Sequence, residues 1–340
     1  MRKTVLLTHE YYPYHGGIAT YLHGYFKFIP TVEIVTDQKE IEQSATIHQM
    51  KLIGSFWRPR WHVGLRNLRK FVKQNNTELV ITPHIFPLGQ IALALKKSQG
   101  TPYIVSLHGL DINLALKKNK AAALEILQKA DHIIVNSNFV KKILDPLQLP
   151  TPIAVLTPNV TFPEHAPNQT IIESYKDKNV VLTVGRLVKR KNHENILRAL
   201  ALLADKNFTY LIIGNGPEEN NLKRLAYEEL GFGREQVQFL TDVSHKDLGS
   251  YFDLAKIFVL PTLNLGADIE GYGIVYLQAA DHSLPIIAAR ETSAEDFIQN
   301  NLNGILVNGQ AIDELKIAIE RLLTNSDEAR KLGAAAKASL

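Results

Sequence analysis

The chain has no cysteine, which excludes disulfides, thiolate metal sites and cysteine nucleophiles and makes the cytoplasm the default compartment. No apolar run approaches the ~18 residues that a membrane-spanning helix needs. The first residues carry a basic end, but their apolar run is short and passes into His9 and Glu10. They read as a first β-strand rather than a secretory leader. There is no Asp-x-Asp pair, and no His and acidic residues recur at metal-ligand spacing, so metal independence is expected. The excess of one sign of charge is small, 38 Lys/Arg against 34 Asp/Glu, but it is unevenly placed. Residues 1–165 hold 19 basic and 11 acidic side chains, a net of +8, and the remainder a net of −4. Such asymmetry points to a polyanion or an anionic membrane surface as a partner of the first half.

What is present suits two ordinary globular domains: 340 residues, 45% hydrophobic and 21% charged. Val/Ile/Leu runs of strand length recur at 4–10, 32–37, 78–84, 102–108, 132–137 and 153–159. They restart at 179–185, 210–216, 237–243, 257–262, 284–290 and 304–309. Most lack alternation, as expected for strands covered on both faces in a parallel sheet. Amphipathic helical stretches such as 193–206 and 220–231 lie between them. The pattern predicts an α/β protein with two tandem Rossmann-like, doubly wound domains facing across a cleft. We place a first domain at 1–160, a Pro-containing linker at 161–175 and a second domain at 176–340.

In doubly wound sheets ligands bind beyond the carboxyl ends of the strands, so residues just after strands are the informative ones. After the second domain's first strand comes Gly185-Arg186-Leu187-Val188-Lys189-Arg190-Lys191-Asn192. A strand-to-helix turn already favours anions, and Arg186 can grip two phosphate oxygens while Lys191 adds a point charge. The competing reading is a solvated basic loop. After the strand at 257–262 comes Asp268-Ile269-Glu270-Gly271-Tyr272-Gly273-Ile274, with Gln278 further along the predicted helix. Gly271 and Gly273 admit a close ligand, and the amides that follow form a second anion seat. Glu270 and Gln278 suit sugar or ribose hydroxyls. The competing reading is a tight turn with a surface glutamine.

These motifs, with Gly214-Asn215-Gly216-Pro217, Pro13-x-x-Gly16-Gly17 and Ser106-Leu107-His108-Gly109-Leu110-Asp111, resemble the group 1 (family 4) retaining glycosyltransferases of GT-B fold. The likeness runs over nearly the whole chain, in the family's order and spacing. It implies a hexosyltransferase that moves a hexose or N-acetylhexosamine from a UDP- or GDP-linked donor, with no metal and no further cofactor. It assigns catalytic roles to His108, Arg186, Lys191 and Glu270. It assigns donor binding to Gly16, Gly17, Asn215, Gly216, Gly271, Tyr272, Gly273, Ile274 and Gln278. Arg186 and Lys191 would hold the nucleotide diphosphate, and a donor phosphate oxygen would take the acceptor's proton. Glutamine stands at 278, where the family's E-x7-E motif has its second glutamate, so the ribose would gain one carbonyl acceptor rather than a carboxylate. The glycine common before Leu284-Pro285 and the Gly-Gly common near 291–295 are also missing. Family members usually continue beyond the equivalent of Leu340 into a helix that returns to the first domain.

One stretch lies outside these motifs. Residues 56–73 hold both tryptophans, six Lys/Arg and no acid, the composition of an interfacial helix on anionic lipid. The competing reading packs its apolar residues on the sheet and leaves the cations in water. We expect a peripheral protein on the inner face of the cell membrane with a lipid-linked or envelope-glycan acceptor. The alternatives are a transferase with a soluble acceptor and a catalytically silent scaffold of the same fold. Nucleic acid is not expected, because no recognition helix or aromatic RNA motif is visible. A dinucleotide oxidoreductase is not expected either, because neither domain has Gly-x-Gly-x-x-Gly with an acid ~20 residues later.

Overall fold

Continuous apolar runs become strands here because both of their faces are covered: Val5, Leu6 and Leu7 expose no surface, nor do Val180, Val181 and Leu182. The computed structural model describes every residue except Met1, His15, Glu42, Gln43, 55–58, Thr161, Pro163 and Glu164. The chain divides into two units, Met1–Thr161 and Phe162–Leu340.

The first unit contains β1 (Thr4–Thr8), β2 (Val32–Thr36), β3 (Ile47–Gln49), β4 (Leu79–Thr82), β5 (Tyr103–Leu107), β6 (His132–Val135) and β7 (Ile153–Val155). They form one parallel sheet in the order β3-β2-β1-β4-β5-β6-β7, with Thr4 opposite both Val32 and Leu79. The strand order reverses between β1 and β4, so that unit's switch point lies beyond the ends of those strands. Strand β3 has no counterpart among the predicted runs. It is a three-residue edge strand with no fully buried residue, so no apolar run marks it.

The second unit contains β8 (Val180–Val184), β9 (Thr209–Ile213), β10 (Val237–Leu240), β11 (Ile257–Leu260), β12 (Ile286–Ala289) and β13 (Ile305–Val307). Their order is β10-β9-β8-β11-β12-β13, again parallel, with the switch point between β8 and β11. Two apolar layers sandwich this sheet: Val181 packs with Ile196 and Leu200 on one face, Val180 and Leu182 with Phe258 and Tyr276 on the other. Inside the sheet the Thr183 hydroxyl donates to the Val259 carbonyl (2.6 Å) and shares a hydrogen bond with the Tyr210 hydroxyl (2.9 Å).

Within the stretch expected as a linker, Gln169–Ser174 forms a short helix capped by the Asn168 side chain. Asn168 is itself anchored, its N–H donating to Ser250 Oγ (2.8 Å) and its Nδ2 to Asp247 Oδ1 (2.9 Å). Of the basic stretch 56–73, residues 56–58 lie outside the described residues, and His62–Gln74 is a helix. Leu65, Leu68 and Val72 are buried in the first unit's core, and Trp61 and Phe71 pack against it. The apolar face is therefore turned inward, which corrects the expectation that it could enter a bilayer. Arg66, Arg69, Lys70 and Lys73 remain exposed. No helix among the described residues is long and apolar enough to cross a membrane.

Candidate active site

The loop after β8 is held on several sides. Gly185 N–H donates to the Ile213 carbonyl (2.9 Å) and Leu187 N–H to the Asn215 carbonyl (2.8 Å), so the loops after β8 and β9 lie directly against each other. That contact requires glycine: a Cβ on Gly214 (φ +134°) would sit 2.2 Å from the Gly185 oxygen, and one on Gly216 2.4 Å from the Leu187 oxygen. Gly214 and Gly216 thus shape the turn, while the Asn215 side chain is exposed. Asn192, at φ +59°, donates from Nδ2 to the carbonyls of Pro261 (2.9 Å) and Gly309 (2.7 Å). Leu263 N–H donates to the Arg190 carbonyl (2.8 Å). The basic loop is therefore fixed to the ends of β11 and β13 before any ligand arrives.

Its cations then divide. Lys191 Nζ lies 2.7 Å from Glu270 Oε2, and Arg190 pairs with the same oxygen through Nη1 and with Asp268 Oδ1 through Nε (2.9 Å). Only 10% of Lys191, 14% of Arg190 and 15% of Glu270 side-chain surface is exposed. Burial by itself would raise the Glu270 carboxyl; Lys191 and then Arg190 outweigh it and hold the group below the usual carboxylate range. Arg190 stays charged, since Glu270 and Asp268 overcome the effect of its own burial. The cluster Lys191–Glu270–Arg190–Asp268 is formally neutral. Arg186, by contrast, is exposed and makes no ion pair among the described residues. Sequence reading passed over Arg190 as one cation among several. The signal that could have found it is two cations and two acids in the loops after the two switch-point strands.

Helix Ile274–Asp281 starts at Gly273, which takes φ +86° and has no side-chain cap. A Cβ there would meet the Tyr276 ring at 2.5 Å, and that ring is fixed by its hydroxyl's bond to the Leu260 carbonyl (2.7 Å). With no side-chain cap, the amides of Ile274 and Val275 are suited to an anion, while the Tyr276 N–H already donates to the Gly273 carbonyl (2.9 Å). Gly271 and Tyr272 lead into this turn, with Tyr272 buried. Gln278, one turn further, is half-buried, and its side chain makes no hydrogen bond among the described residues. The second unit thus brings Arg186, Lys191, Glu270, Gly271 and Gly273 to the loops beyond β8 and β11.

In the first unit, the three central strands each run into a histidine: His9 after β1, His84 after β4 and His108 after β5. His108 lies edge-on to the Tyr21 ring (4.8 Å between centroids), with Nε2 3.3 Å from Ser106 Oγ. Burial, helped by His84, pushes its imidazole down to about 3, so it is neutral at ordinary pH. Burial and then His9 lower His84 to about 4, and its buried Nδ1 has no partner among the described residues. His9 and His84 were not singled out from sequence, although both close a predicted strand run. Asp111 Oδ1 accepts from the His108 N–H (3.0 Å), while its buried Oδ2 has no partner among the described residues. Burial pushes this carboxyl up to about 7 against the pull of neighbouring backbone N–H groups, the first of them that of His108. Gly17 opens helix Gly17–Phe26, and a Cβ on it would meet nothing within 4 Å, whereas one on Gly16 would press on Tyr14 at 2.8 Å.

Two family profiles match the chain: "Glycosyl transferases group 1" over residues 166–339 and "Glycosyltransferase Family 4" over residues 31–160. The chain belongs to the group 1 glycosyl transferases, and it is a glycosyltransferase of GT-B fold. Among its relatives is the GDP-mannose-dependent alpha-(1-6)-phosphatidylinositol monomannoside mannosyltransferase of Mycobacterium tuberculosis. The two are 24% identical over 361 residues, covering 99% of this chain and 93% of that one. Among solved structures, sucrose-phosphate synthase from Thermosynechococcus elongatus superposes with a TM-score of 0.79 at 18% identity, covering 99% and 94% of the two chains. HepE of Anabaena, solved with UDP and glucose, superposes with a TM-score of 0.77 at 15% identity and the same coverage.

Proposed function

We propose that this enzyme is a retaining, metal-independent transferase. It moves a hexose or N-acetylhexosamine from a nucleotide diphosphate sugar to a lipid-linked or envelope-glycan acceptor at the inner face of the cell membrane. The observation that carries this reading is the division of cations beyond β8: Arg186 exposed and without an ion pair among the described residues, Lys191 held on a carboxylate it shares with Arg190. A diphosphate that meets Arg186 can draw Lys191 Nζ from Glu270, because Arg190 still compensates the glutamate when the lysine leaves. Both cations then face the oxygen on which negative charge grows as the anomeric C–O bond breaks, and preorganised charge at that point is the largest help a protein can give. The new C–O bond forms on the same face of the sugar, and the acceptor's hydroxyl proton passes to the departing phosphate oxygen. Freed of Lys191, Glu270 can accept from a hydroxyl of the transferred sugar.

The glycolipid named for the mycobacterial relative makes a lipid-linked acceptor and GDP-mannose the first combination to examine, with UDP-sugars beside it. The exposed Arg66, Arg69, Lys70 and Lys73 give the first unit an electrostatic contact for anionic lipid without insertion. A thermal-shift screen over GDP- and UDP-sugars, followed by transfer assays with the stabilising donor, tests the proposal, since a cognate donor raises Tm by mass action. Failure of every nucleotide sugar and nucleotide to stabilise the chain would overturn it in favour of a silent scaffold.

A further inference from the structure

At the far end of the helix that begins at Gly273, the second unit assembles three side chains that local spacing does not connect. His165 Nε2 lies 2.7 Å from Asp253 Oδ2, and His282 Nδ1 lies 2.7 Å from Asp253 Oδ1. The ligand-capable atoms of the three residues all fall within 4.8 Å of one another, and the two imidazole centroids are 5.0 Å apart. They come from three places: the segment before helix Gln169–Ser174, the end of helix His245–Leu254, and the C-cap of helix Ile274–Asp281.

Each is seated by its surroundings. A Cβ on Gly249 would lie 2.4 Å from the His165 ring, so the ring rests on helix His245–Leu254 only because that position is glycine. The His282 ring stacks on Phe252 at 5.2 Å with 19° between planes. The bonds of Asn168 to Ser250 and Asp247 hold the segment that carries His165 on the same helix. Side-chain exposures of 25% for His165, 33% for Asp253 and 12% for His282 leave one side open for water ligands.

We propose that His165, Asp253 and His282 form a site for a divalent transition-metal ion, with zinc the best match. Two imidazoles and one carboxylate are borderline ligands suited to zinc, whereas magnesium and calcium prefer all-oxygen shells. Tetrahedral zinc with ligand bonds of ~2.0–2.2 Å places its ligand atoms ~3.3 Å apart. The imidazoles meet different oxygens of Asp253, so the oxygen that takes the ion opens its own contact by about half an ångström while the two nitrogens converge on it, with water completing the shell. The ion replaces the two protons that bridge Asp253 to the imidazoles. Its role is structural: it fastens the segment at His165 to the helices that carry Asp253 and Gln278. This inference is independent of the transfer mechanism, which uses neither histidine.

The test is calorimetric titration of the untagged, chelator-dialysed chain with zinc, and with cobalt(II) for its visible absorption. One equivalent per chain, tetrahedral cobalt bands and a Tm raised by the metal are expected. His165→Ala and His282→Ala should each weaken binding by more than the roughly 10–100-fold that loss of an outer-shell partner costs. Asp253→Asn, which keeps the size and one of the two hydrogen-bond acceptors, reads the site if either truncation fails to fold. Absence of saturable binding would leave a purely hydrogen-bonded triad and overturn the site. Binding unchanged in the folded variants would mark an adventitious ion elsewhere and overturn it equally.

Discussion

Lys191 Nζ sits 2.7 Å from Glu270 Oε2, so the lysine that the family resemblance assigns to the donor diphosphate is neutralised by a glutamate when no donor is bound. Arg190 pairs with the same carboxylate oxygen, and in the proposed mechanism it compensates Glu270 when the lysine leaves. Removing the Lys191 charge should therefore harm catalysis far more than folding, since Glu270 keeps Arg190. Lys191→Ala and Arg186→Ala are each expected to lower kcat by about 10²–10³, the range for loss of one preorganised charge-stabilising donor. For exposed Arg186 the stability change should stay within ~0.5 kcal/mol. Steady-state kinetics with thermal melts checks this, and near-wild-type turnover in both variants would remove the assignment.

Arg190→Ala has the opposite signature. It leaves Glu270 paired only with Lys191 and Asp268 without its partner. Loss of a partner from a buried ion pair costs ~3–5 kcal/mol; with 43% of the Asp268 side chain exposed, the low end applies. Lys191 is then held on Glu270 as its sole counter-charge, so the donor KM should rise more than kcat falls. Arg190→Lys should recover part of the stability and less of the KM, because an ammonium cannot reach both carboxylates in the geometry of a guanidinium fork. A KM equal to wild type in folded Arg190→Ala would contradict the exchange.

The fold was largely legible because strands covered on both faces leave continuous apolar runs; Val180–Val184 and Ile257–Leu260 stand out for that reason alone. What was not legible has physical causes. Strand β3 is a half-exposed edge and needs no apolar run. The stripe Leu65, Leu68, Val72 has the same helical spacing whether it faces a lipid or a protein core, and here it faces the core. Arg186, Lys191 and Glu270 could be named because each follows a strand end. The acids that Arg190 meets lie 78 and 80 positions away, and Asp253 is 88 positions from His165 and 29 from His282, distances that no local motif spans.

Gln278 offers a direct gain-of-function test. Its side chain is half-buried with no hydrogen bond among the described residues, so a carboxylate placed there displaces nothing. If this position holds the ribose, Gln278→Glu should tighten the donor several-fold, because a hydrogen bond to an ionised acceptor is roughly twice as strong as a neutral one. Calorimetry with GDP and UDP measures it. Unchanged affinity for both would place the ribose elsewhere.

Asp111 and His108 should impose opposite pH dependences on the first unit. The Asp111 carboxyl is raised to about 7 by burial, so the folded chain binds a proton that the unfolded chain releases near pH ~4. Its contribution to stability is fully present below that pH and is lost as pH rises through about 7. His108, lowered to about 3 by burial, does the reverse: the unfolded chain takes the proton first, so stability falls as pH drops below ~6.5. Denaturant melts of wild type and Asp111→Asn from acid to neutral pH separate the two. The stability of wild type relative to the asparagine variant should decline as pH rises towards 7, and a constant difference would refute the buried, protonated carboxyl.

The basic helix yields a prediction that distinguishes electrostatic contact from insertion. Because Leu65, Leu68 and Val72 are buried in the core, this helix offers a membrane its exposed cations Arg66, Arg69, Lys70 and Lys73 rather than its apolar stripe. Each such cation near an anionic surface contributes about 1 kcal/mol at low salt, so replacing all four with glutamine should weaken binding to phosphatidylserine-containing vesicles by about two orders of magnitude or more. Tm should hardly change, since exposed side chains are being replaced. Binding should also fall steeply between low and physiological salt, as the screening length shortens. Co-sedimentation of wild type and variant at two salt concentrations measures both effects. Salt-insensitive binding that survives the substitutions would instead require an apolar contact elsewhere on the chain, and the proposed membrane contact would then be made by a different surface.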